Sequence, residues 1–405
     1  MAGHGLIRPV LSTVICFILA VLAWGTVFYG HSVYMDALMR THGWSSSLIS
    51  SAILIFWIAS LPGTLSVGVL IDRFGPALVV AIGGISIGLG LCLLGRVGAP
   101  WQLFVIYAMM GFGYPALAGA AISATLAPWF ERGFGVALGI ALTGASVGGA
   151  LLPPLMVQMT AVHGFDVTTF MVGSAVLVIA LAAVIELTLI GRPRKAKTAN
   201  GAAAKPYSMW AILGASRFWM IAIPAAFGLG GQVGFLAHQV PMLATHIDQV
   251  TAAFMVTVVA VSSAIGRLLI GVLSRYLSIV VLTSLTYALH GAGLAVLATV
   301  DDLTGILVGC AVTGLTVGAI VMLPPIIVRQ VYGTEGFGRT YAMVNVVMYV
   351  FAALSPWLVG LIRDATGDYI TALWMLVALE IVAATFILGA ARNLARQNAL
   401  VRAPS

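Results

Sequence analysis

Long apolar segments follow one another along almost the whole chain. Twelve of them fall between residues 10 and 392, and short polar breaks separate them. Each is about 20 to 28 residues long, which suits a helix crossing a bilayer, whereas the strand of a membrane barrel needs about half that length. With 61% hydrophobic and 8% charged residues, the chain carries far fewer charges than a soluble domain. We therefore predict an all-α membrane protein with twelve transmembrane helices in a lipid bilayer.

The positive charges predict how these helices are oriented. Of the 19 Lys and Arg residues, all but four lie in the termini and in alternate loops. Cytoplasmic loops carry such an excess, so both termini and the longest loop are expected to be cytoplasmic. The high pI, near 9.5, therefore reflects membrane topology, and we expect no nucleic-acid partner. No cleavable signal peptide is evident after Arg8.

The chain divides into two halves with a shared pattern. A polar, Ala/Gly-rich stretch predicts a cytoplasmic linker at residues 191–211, between a six-helix bundle at 1–190 and a second bundle with a short tail at 212–405. Three features recur 203 residues apart, namely Gly68-Val-Leu and Gly271-Val-Leu, Gly133-Phe-Gly and Gly336-Phe-Gly, and Pro153 and Pro356. This common offset predicts parallel repeats, and hence two pseudo-symmetric bundles.

One arginine, Arg267, lies inside the eighth apolar segment. Inserting an arginine at the centre of a span costs roughly 2.5–3.5 kcal/mol, so it is usually kept only where it faces a cavity and meets an anion. Ser263 lies about one turn earlier and can hydrogen-bond across such a cavity, while Gly266 and Gly271 are expected to let neighbouring helices approach. The alternative is a side chain that extends to the cytoplasmic interface.

The first apolar segment contains polar side chains that suit a substrate cavity. Helical spacing predicts that Trp24, His31 and Tyr34 share one face, with Asp36 near the periplasmic end. The alternative is an interfacial aromatic belt with a hydrogen-bonded histidine.

Further cavity candidates come from the fourth and eleventh segments. Tyr114 precedes Pro115, which frees a backbone carbonyl nearby. Tyr341, Asn345 and Tyr349 follow one another at four-residue spacing, and a polar stripe in an apolar span is a cavity-lining hypothesis by default.

Other buried polar residues have less distinct patterns. His238, in the seventh segment, is as suited to a hydrogen bond between helices as to binding a ligand. His290 has no polar neighbour at helical spacing, so we expect a structural role. Glu380 lies deep in the last segment, and nothing in the sequence assigns it a function.

Charged residues at the predicted cytoplasmic ends suggest a gate. Position 275 is equivalent to position 72 under the 203-residue offset, and the two residues have opposite charges. We predict that Asp72 faces Arg339 and that Arg275 faces Glu131, so that each pair of opposite charges can form a lock between the bundles. The alternative is that these are ordinary loop charges, which usually contribute little.

Motifs for enzymatic chemistry are absent from the sequence. No zinc-ligand pair, Ser/His dyad or P-loop occurs, and the three cysteines have no metal-ligand or redox spacing. We expect no enzyme activity, no cofactor and no metal.

The sequence resembles the major facilitator superfamily, and within it the bacterial monocarboxylate transporter and oxalate:formate antiporter group. Four stretches carry the resemblance: THGWSSSLIS at 41–50, GVLIDRFG at 68–75, PWFERGFGVALGIALTG at 128–144, and the run from GFLAHQVP to AIGRLLIG at 234–271. It implies alternating access and a role for Arg267 in binding the substrate carboxylate. Two positions depart from the relatives, because Ser263 replaces an aspartate of the animal-type transporters and Met348 replaces a lysine of the oxalate antiporter.

These observations lead to a functional expectation. We expect a monomeric transporter in a bacterial inner membrane that moves a lactate- or pyruvate-like monoanion, with a proton as its coupling ion. The proton-coupling candidates are His31, His238 and Asp36, since histidine titrates near neutral pH and a buried carboxyl can retain a proton. The alternatives are an anion exchanger or an exporter of amphiphilic compounds, and, in a different class, an anion sensor without net transport.

Overall fold

The computed structural model describes residues 4–130, 133–191 and 209–402. Helices account for nearly all of these residues, and no strand occurs among them. Twelve of the helices are long and apolar enough to cross a membrane. The prediction of an all-α chain with twelve spans is confirmed.

The spanning helices are labelled in chain order. They are α1 Arg8–His42, α2 Ser46–Phe74, α3 Pro76–Leu94, α4 Pro100–Trp129, α5 Phe134–His163, α6 Phe165–Ile190, α7 Ser216–Leu243, α8 Gln249–Leu273, α9 Ile279–Leu297, α10 Leu303–Gly333, α11 Arg339–Thr366 and α12 Ile370–Gly389. A short helix, Met209–Leu213, precedes α7.

Polar residues fix where several helices begin. Ser45 caps α2 by accepting a hydrogen bond from the Leu48 amide, and Asp302 caps α10 in the same way through the Gly305 amide. Asp248 precedes α8 and accepts hydrogen bonds from the amides of Val250 and Thr251, both at 3.0 Å. The side-chain hydrogen bond with Thr251, followed by the backbone ones, lowers the pKa of the exposed Asp248 carboxyl. Such caps satisfy amides that have no partner within the helix.

The helix bounds follow the 203-residue offset found in the sequence. Helix α2 begins at Ser46 and α8 at Gln249, and both ends of α3 are 203 residues before the corresponding ends of α9. Packing repeats as well, because α3 packs along α6 as α9 packs along α12. The three sequence features that share this offset therefore belong to a repeat that extends over whole helices.

By its contacts, the chain forms two compact units. The first contains the described residues up to 191 together with residues 237–260, and the second contains residues 209–236 and 261–402. Thr257 of α8 belongs to the first unit, where its hydroxyl donates to the Ala150 carbonyl of α5 at 2.6 Å. The end of α7 and the start of α8 thus pack with the first half of the chain. The predicted domain boundaries at 190 and 212 stay a prediction.

Each unit has an apolar core between its helices. In the first, one cluster joins α1, α4 and α5, and its members are Cys16, Ala20, Ile122, Leu126 and Ala141. In the second, a cluster joins α8, α9 and α10, and its members are Ile270, Leu282, Ala319 and Leu323. All three cysteines are buried, and none forms a disulfide within the described residues.

Candidate functional site

The half-buried Arg267 is held by close packing between α8 and α10. Gly318 of α10 lies directly against it, so that a Cβ added there would be 2.5 Å from Arg267 Cγ and 2.8 Å from the Ser263 carbonyl oxygen. One residue before the arginine, Gly266 meets the Leu315 backbone so closely that a Cβ would overlap it. The small-residue positions therefore let the aliphatic stem of the arginine lie on the neighbouring helix.

The two glycines predicted to allow this approach behave differently. Gly266 lies at the helix crossing, as predicted. At Gly271, no atom of a neighbouring helix lies within 4 Å of the position that a Cβ would occupy, so that part of the prediction is wrong. The reason is geometric, because five residues turn an α-helix by about 140° beyond a full turn, so Gly271 lies on a different face of α8 from Gly266. Ile270, next to Gly271, still packs in one cluster with Ala319 and Leu323 of α10.

The predicted polar stripe of α11 is present in the second unit. Tyr341, Asn345 and Tyr349 are all half-buried, and the side chains of Tyr341 and Asn345 share a hydrogen bond. The Phe337 ring stacks on Tyr341 with centroids 5.5 Å apart. The stripe thus presents two phenols and an amide, which can donate hydrogen bonds to an anion. Substrate binding by Asn345 and Tyr349 stays a prediction.

Helix α1 contains a π-helical turn that changes which way its side chains face. Ala23–Phe28 is π-helical, and Trp24 within it contacts Tyr114 of α4, with ring centroids 6.1 Å apart. Tyr34, farther along, contacts the Met156 sulfur of α5 instead. A π turn inserts one extra residue, so α-helical spacing does not hold across it. Trp24 contacts Tyr114, and His31 contacts Phe56, whose ring in turn contacts Tyr114. A face shared by all three polar residues stays a prediction.

Two predicted substrate ligands lie deep in the first unit. Tyr34 is 1% exposed, and its hydroxyl donates to the Thr26 carbonyl at 2.6 Å. To donate a hydrogen bond to a substrate, the Tyr34 hydroxyl would have to give up its hydrogen bond to the Thr26 carbonyl. Tyr114 lies in a 3-10 turn that interrupts α4 beside Pro115, as expected from the proline. Its ring contacts Phe56 at 5.4 Å, within a wall of aromatic side chains.

The proton-coupling candidates have three different environments. Asp36 accepts two hydrogen bonds from Arg40 Nε, at 3.0 and 3.1 Å, and a third from Gln249. Its charge is therefore already balanced. His238 lies within hydrogen-bond distance of Ser46 and Ser50, at 3.4 and 3.2 Å.

His31 is enclosed by aromatic rings. It stacks on Tyr107 with centroids 5.5 Å apart and meets Phe56 edge to face. Within the described part of the chain, neither ring nitrogen of His31 has a hydrogen-bond partner. Proton coupling by any of these three residues stays a prediction.

The structure pairs two residues for which the sequence indicates no partner. His290 Nδ1 of α9 lies 2.7 Å from Glu380 Oε1 of α12, and both side chains are 0% exposed. Helical spacing could not find this pair, because the residues lie on different helices 90 positions apart. The signal that could have found it is that each was a buried ionisable residue without a local partner.

The predicted gate residues are distributed over both units. Asp72 is exposed at the end of α2 in the first unit, while Arg275 and Arg339 are exposed in the second. Glu131 lies outside the described residues. The pairing of these charges stays a prediction.

No metal-binding group was found in the part of the chain that the structure describes: no three His, Cys, Asp or Glu residues lie together in a way that could hold an ion.

Comparison with known proteins gives consistent matches. Residues 13–356 match the family model described as the Major Facilitator Superfamily. Monocarboxylate transporter 11 of Homo sapiens is 28% identical over 382 residues, which cover 90% of this chain and 77% of the relative. The oxalate:formate antiporter of Oxalobacter formigenes is 23% identical over 197 residues, which cover 48% of this chain and 46% of the antiporter. Among solved structures, the nucleoside transporter NupG matches with a TM-score of 0.75 over 93% of this chain and 99% of that one, at 14% identity. This last likeness concerns the fold.

Proposed function

Because the chain belongs to the Major Facilitator Superfamily, we propose that it moves a small organic monocarboxylate, such as a lactate- or pyruvate-like anion, together with a proton by alternating access. The observation that carries this proposal is Arg267, a guanidinium in a membrane-spanning helix with its stem packed on Gly318. A carboxylate fits the planar guanidinium through two parallel N–H···O hydrogen bonds, which a lysine cannot form.

The remaining binding residues would shape the site around that ion pair. Ser263, Asn345 and Tyr349 supply hydroxyl and amide groups, and Tyr34 and Tyr114 supply rings and hydroxyls for the rest of the substrate. At position 348, where the resemblance to the oxalate antiporter implies a lysine, this chain has the apolar Met348, which is 2% exposed. One cation favours a monoanion over a dianion, since a second carboxylate would be left uncompensated.

Topology and gating follow from the charge pattern. The excess of Lys and Arg in alternate loops supports both termini being cytoplasmic. The transporters of Escherichia coli and Bacillus subtilis among the relatives favour a bacterial inner membrane, where we propose that the protein acts as a monomer. Asp72 with Arg339 and Glu131 with Arg275 would close the cytoplasmic side in one state of the cycle. We propose that the protein is a transporter without enzymatic activity.

Two other functions compete with this proposal. An anion exchanger, or an exporter, would use the same arginine, and the oxalate:formate antiporter among the relatives favours exchange over export. An anion sensor without net transport would bind the same ligand. Net accumulation of substrate, driven by a proton gradient, is expected of a symporter but not of an exchanger, an exporter or a sensor.

The test is uptake by the purified protein in liposomes. A proton gradient directed inward should drive accumulation of a labelled monocarboxylate, and a protonophore should abolish it, because cotransport with a proton makes the cycle electroneutral and lets the gradient supply the energy. Arg267→Lys should remove most of the uptake. Accumulation that ignores the pH gradient but needs a carboxylate preloaded inside would favour exchange, and binding without any uptake would favour the sensor.

A further inference from the structure

The contact between His290 and Glu380 contains a proton. Nδ1 of the imidazole and Oε1 of the carboxyl are 2.7 Å apart. At that distance two atoms that both present lone pairs would repel, so one of them must carry a hydrogen. The pair is therefore either a carboxylate accepting from the imidazole or a carboxylic acid donating to it. The pair has a net negative charge when a neutral imidazole donates to the carboxylate, and it becomes neutral when it takes up one further proton. That proton would lie where no part of either side chain is exposed.

The surroundings of the pair offer little to stabilise a charge. Within the described residues, the groups that act electrostatically on Glu380 are His290 itself and the Tyr287 phenol of α9. The outer atoms of the pair, His290 Nε2 and Glu380 Oε2, have no hydrogen-bond partner there. Without that further proton, an unbalanced carboxylate would lie in an apolar interior, which is strongly unfavourable. The proton can therefore leave only when water reaches the pair.

Helix α7 provides a route by which water could reach it. Gly231 of α7 lies so close to Glu380 that a Cβ there would overlap Oε1, and Gly291 of α9 would bring a Cβ to 3.2 Å from the Glu380 Cβ. Gly228, one turn earlier in α7, lies against the Tyr287 ring in the same way. The carboxyl is thus covered on this side by bare backbone of a glycine-rich helix, the kind of segment that bends most easily.

The other buried carboxyl differs from Glu380. Asp36 is held by Arg40 and Gln249, so its negative charge is balanced without a proton. Among the described residues, these are the two acidic side chains that the fold buries. Glu380 is the one for which the described residues supply no balancing cation apart from His290.

From this geometry we propose that the His290–Glu380 pair is the proton-binding site of the transport cycle, opened to water by bending of α7 at Gly228 and Gly231. The inference rests on the proton coupling proposed above and locates it away from His31, His238 and Asp36. A hydronium ion on the outer side gives its proton to the pair as substrate binds. The proton is held between Nδ1 and Oε1 during the conformational change and passes to water on the inner side, leaving the carboxylate hydrated until the site closes again.

The matched variants are Glu380→Gln and Glu186→Gln, which change a carboxyl in the last helix of each half. Glu186 is exposed, so its replacement serves as the control. In liposomes, Glu380→Gln should lose accumulation driven by a proton gradient while keeping exchange of labelled for unlabelled lactate. Glu186→Gln should keep both. His31→Ala should also remain coupled.

Direct proton uptake distinguishes this proposal from a structural role. In unbuffered detergent solution with a pH indicator, adding lactate to the wild type should take up protons, and Glu380→Gln should bind lactate without doing so. If Glu380→Gln does not fold, the double variant His290→Asn with Glu380→Gln keeps a hydrogen bond between two neutral side chains and takes its place.

The outcomes separate the two proposals. A wild type that shows neither gradient-driven accumulation nor proton uptake overturns the proposed symport and the proton site with it. A wild type that shows both, with a Glu380→Gln variant that retains both, overturns the His290–Glu380 site alone. Loss of proton coupling in His31→Ala but not in Glu380→Gln would also overturn the His290–Glu380 site while leaving the proposed symport in place.

Discussion

Single polar residues in apolar helices could be recognised from the sequence, but their partners could not. Arg267 stood out because an arginine is costly in a span, and the structure adds that its stem packs on Gly318. For His290 the sequence predicts only a structural role, and for Glu380 it predicts none. Their contact depends on how α9 and α12 pack, which helical spacing within one helix does not encode. When a sequence contains two buried ionisable residues without local partners, a contact between them is therefore the first hypothesis to consider.

At the residue scale, replacing Arg267 by lysine tests what kind of recognition the site uses. Lysine keeps the charge but loses the paired hydrogen bonds, each worth about 1.5–3 kcal/mol when charge-assisted, so lactate affinity should fall about tenfold or more. Calorimetry on the detergent-solubilised protein would measure it. Arg363→Lys is the matched control, because Arg363 forms an ion pair with the neighbouring Asp364. Near-normal affinity in Arg267→Lys would place the carboxylate elsewhere.

At the scale of the helix, apolar length predicted every span, whereas glycines and prolines gave mixed results. Pro115 marked the interruption of α4 correctly. The π-helical turn at Ala23–Phe28 could not be predicted from the sequence. Its residues are as apolar as those of an α-helical span, and only the pattern of backbone hydrogen bonds differs. A glycine likewise indicates that another helix can approach closely at that position, but it does not indicate which helix does so. Gly266 meets the α10 backbone, whereas Gly271 lies on a different face of α8 and meets no neighbouring atom within 4 Å.

These two glycines form a natural pair for a stability measurement. Gly266→Ala should destabilise the protein by about 1–3 kcal/mol, since the added methyl overlaps the Leu315 backbone, which cannot move aside as a flexible side chain would. Gly271→Ala should leave stability unchanged or slightly raised, because nothing lies near the added methyl and alanine favours the helix. Thermal unfolding in detergent, followed by intrinsic tryptophan fluorescence, would compare the two. Equal effects would mean that α8 and α10 do not cross at Gly266.

At the scale of the whole molecule, the repeat was the most informative pattern. Three short features defined an offset of 203 residues, and the bounds of α3 and α9 reproduce it at both ends. What the repeat could not predict is the way contacts divide the chain, with residues 237–260 joining the first unit. Side chains of this segment contact helices of the first half, as Thr257 does with α5 and His238 with α2. Contacts between helices of different halves are not encoded in a repeat within each half.

The proposed gate is tested by exchanging charges between the two halves. Glu131→Arg should impair uptake because two arginines would then face each other, and adding Arg275→Glu should partly restore it, which coupled charges do and independent ones do not. Uptake in liposomes at equal protein content would be compared for the wild type, both single variants and the double. If the losses in the two single variants simply add in the double, the residues are ordinary loop charges.

The π-helical turn in α1 has a consequence for how this chain tolerates changes in its length. Deleting one residue from an α-helix turns everything on one side of the deletion by about 100° relative to the other, which usually ruins a packed membrane helix. The turn at Ala23–Phe28 holds one residue more than an α-helix needs. Losing Val27 can therefore be absorbed by closing the turn into an ordinary α-helix, with Gly30–His42 still facing its present neighbours. At this turn a deletion is a milder change than a substitution such as Gly25→Val, which would force a side chain into the Gly148 backbone.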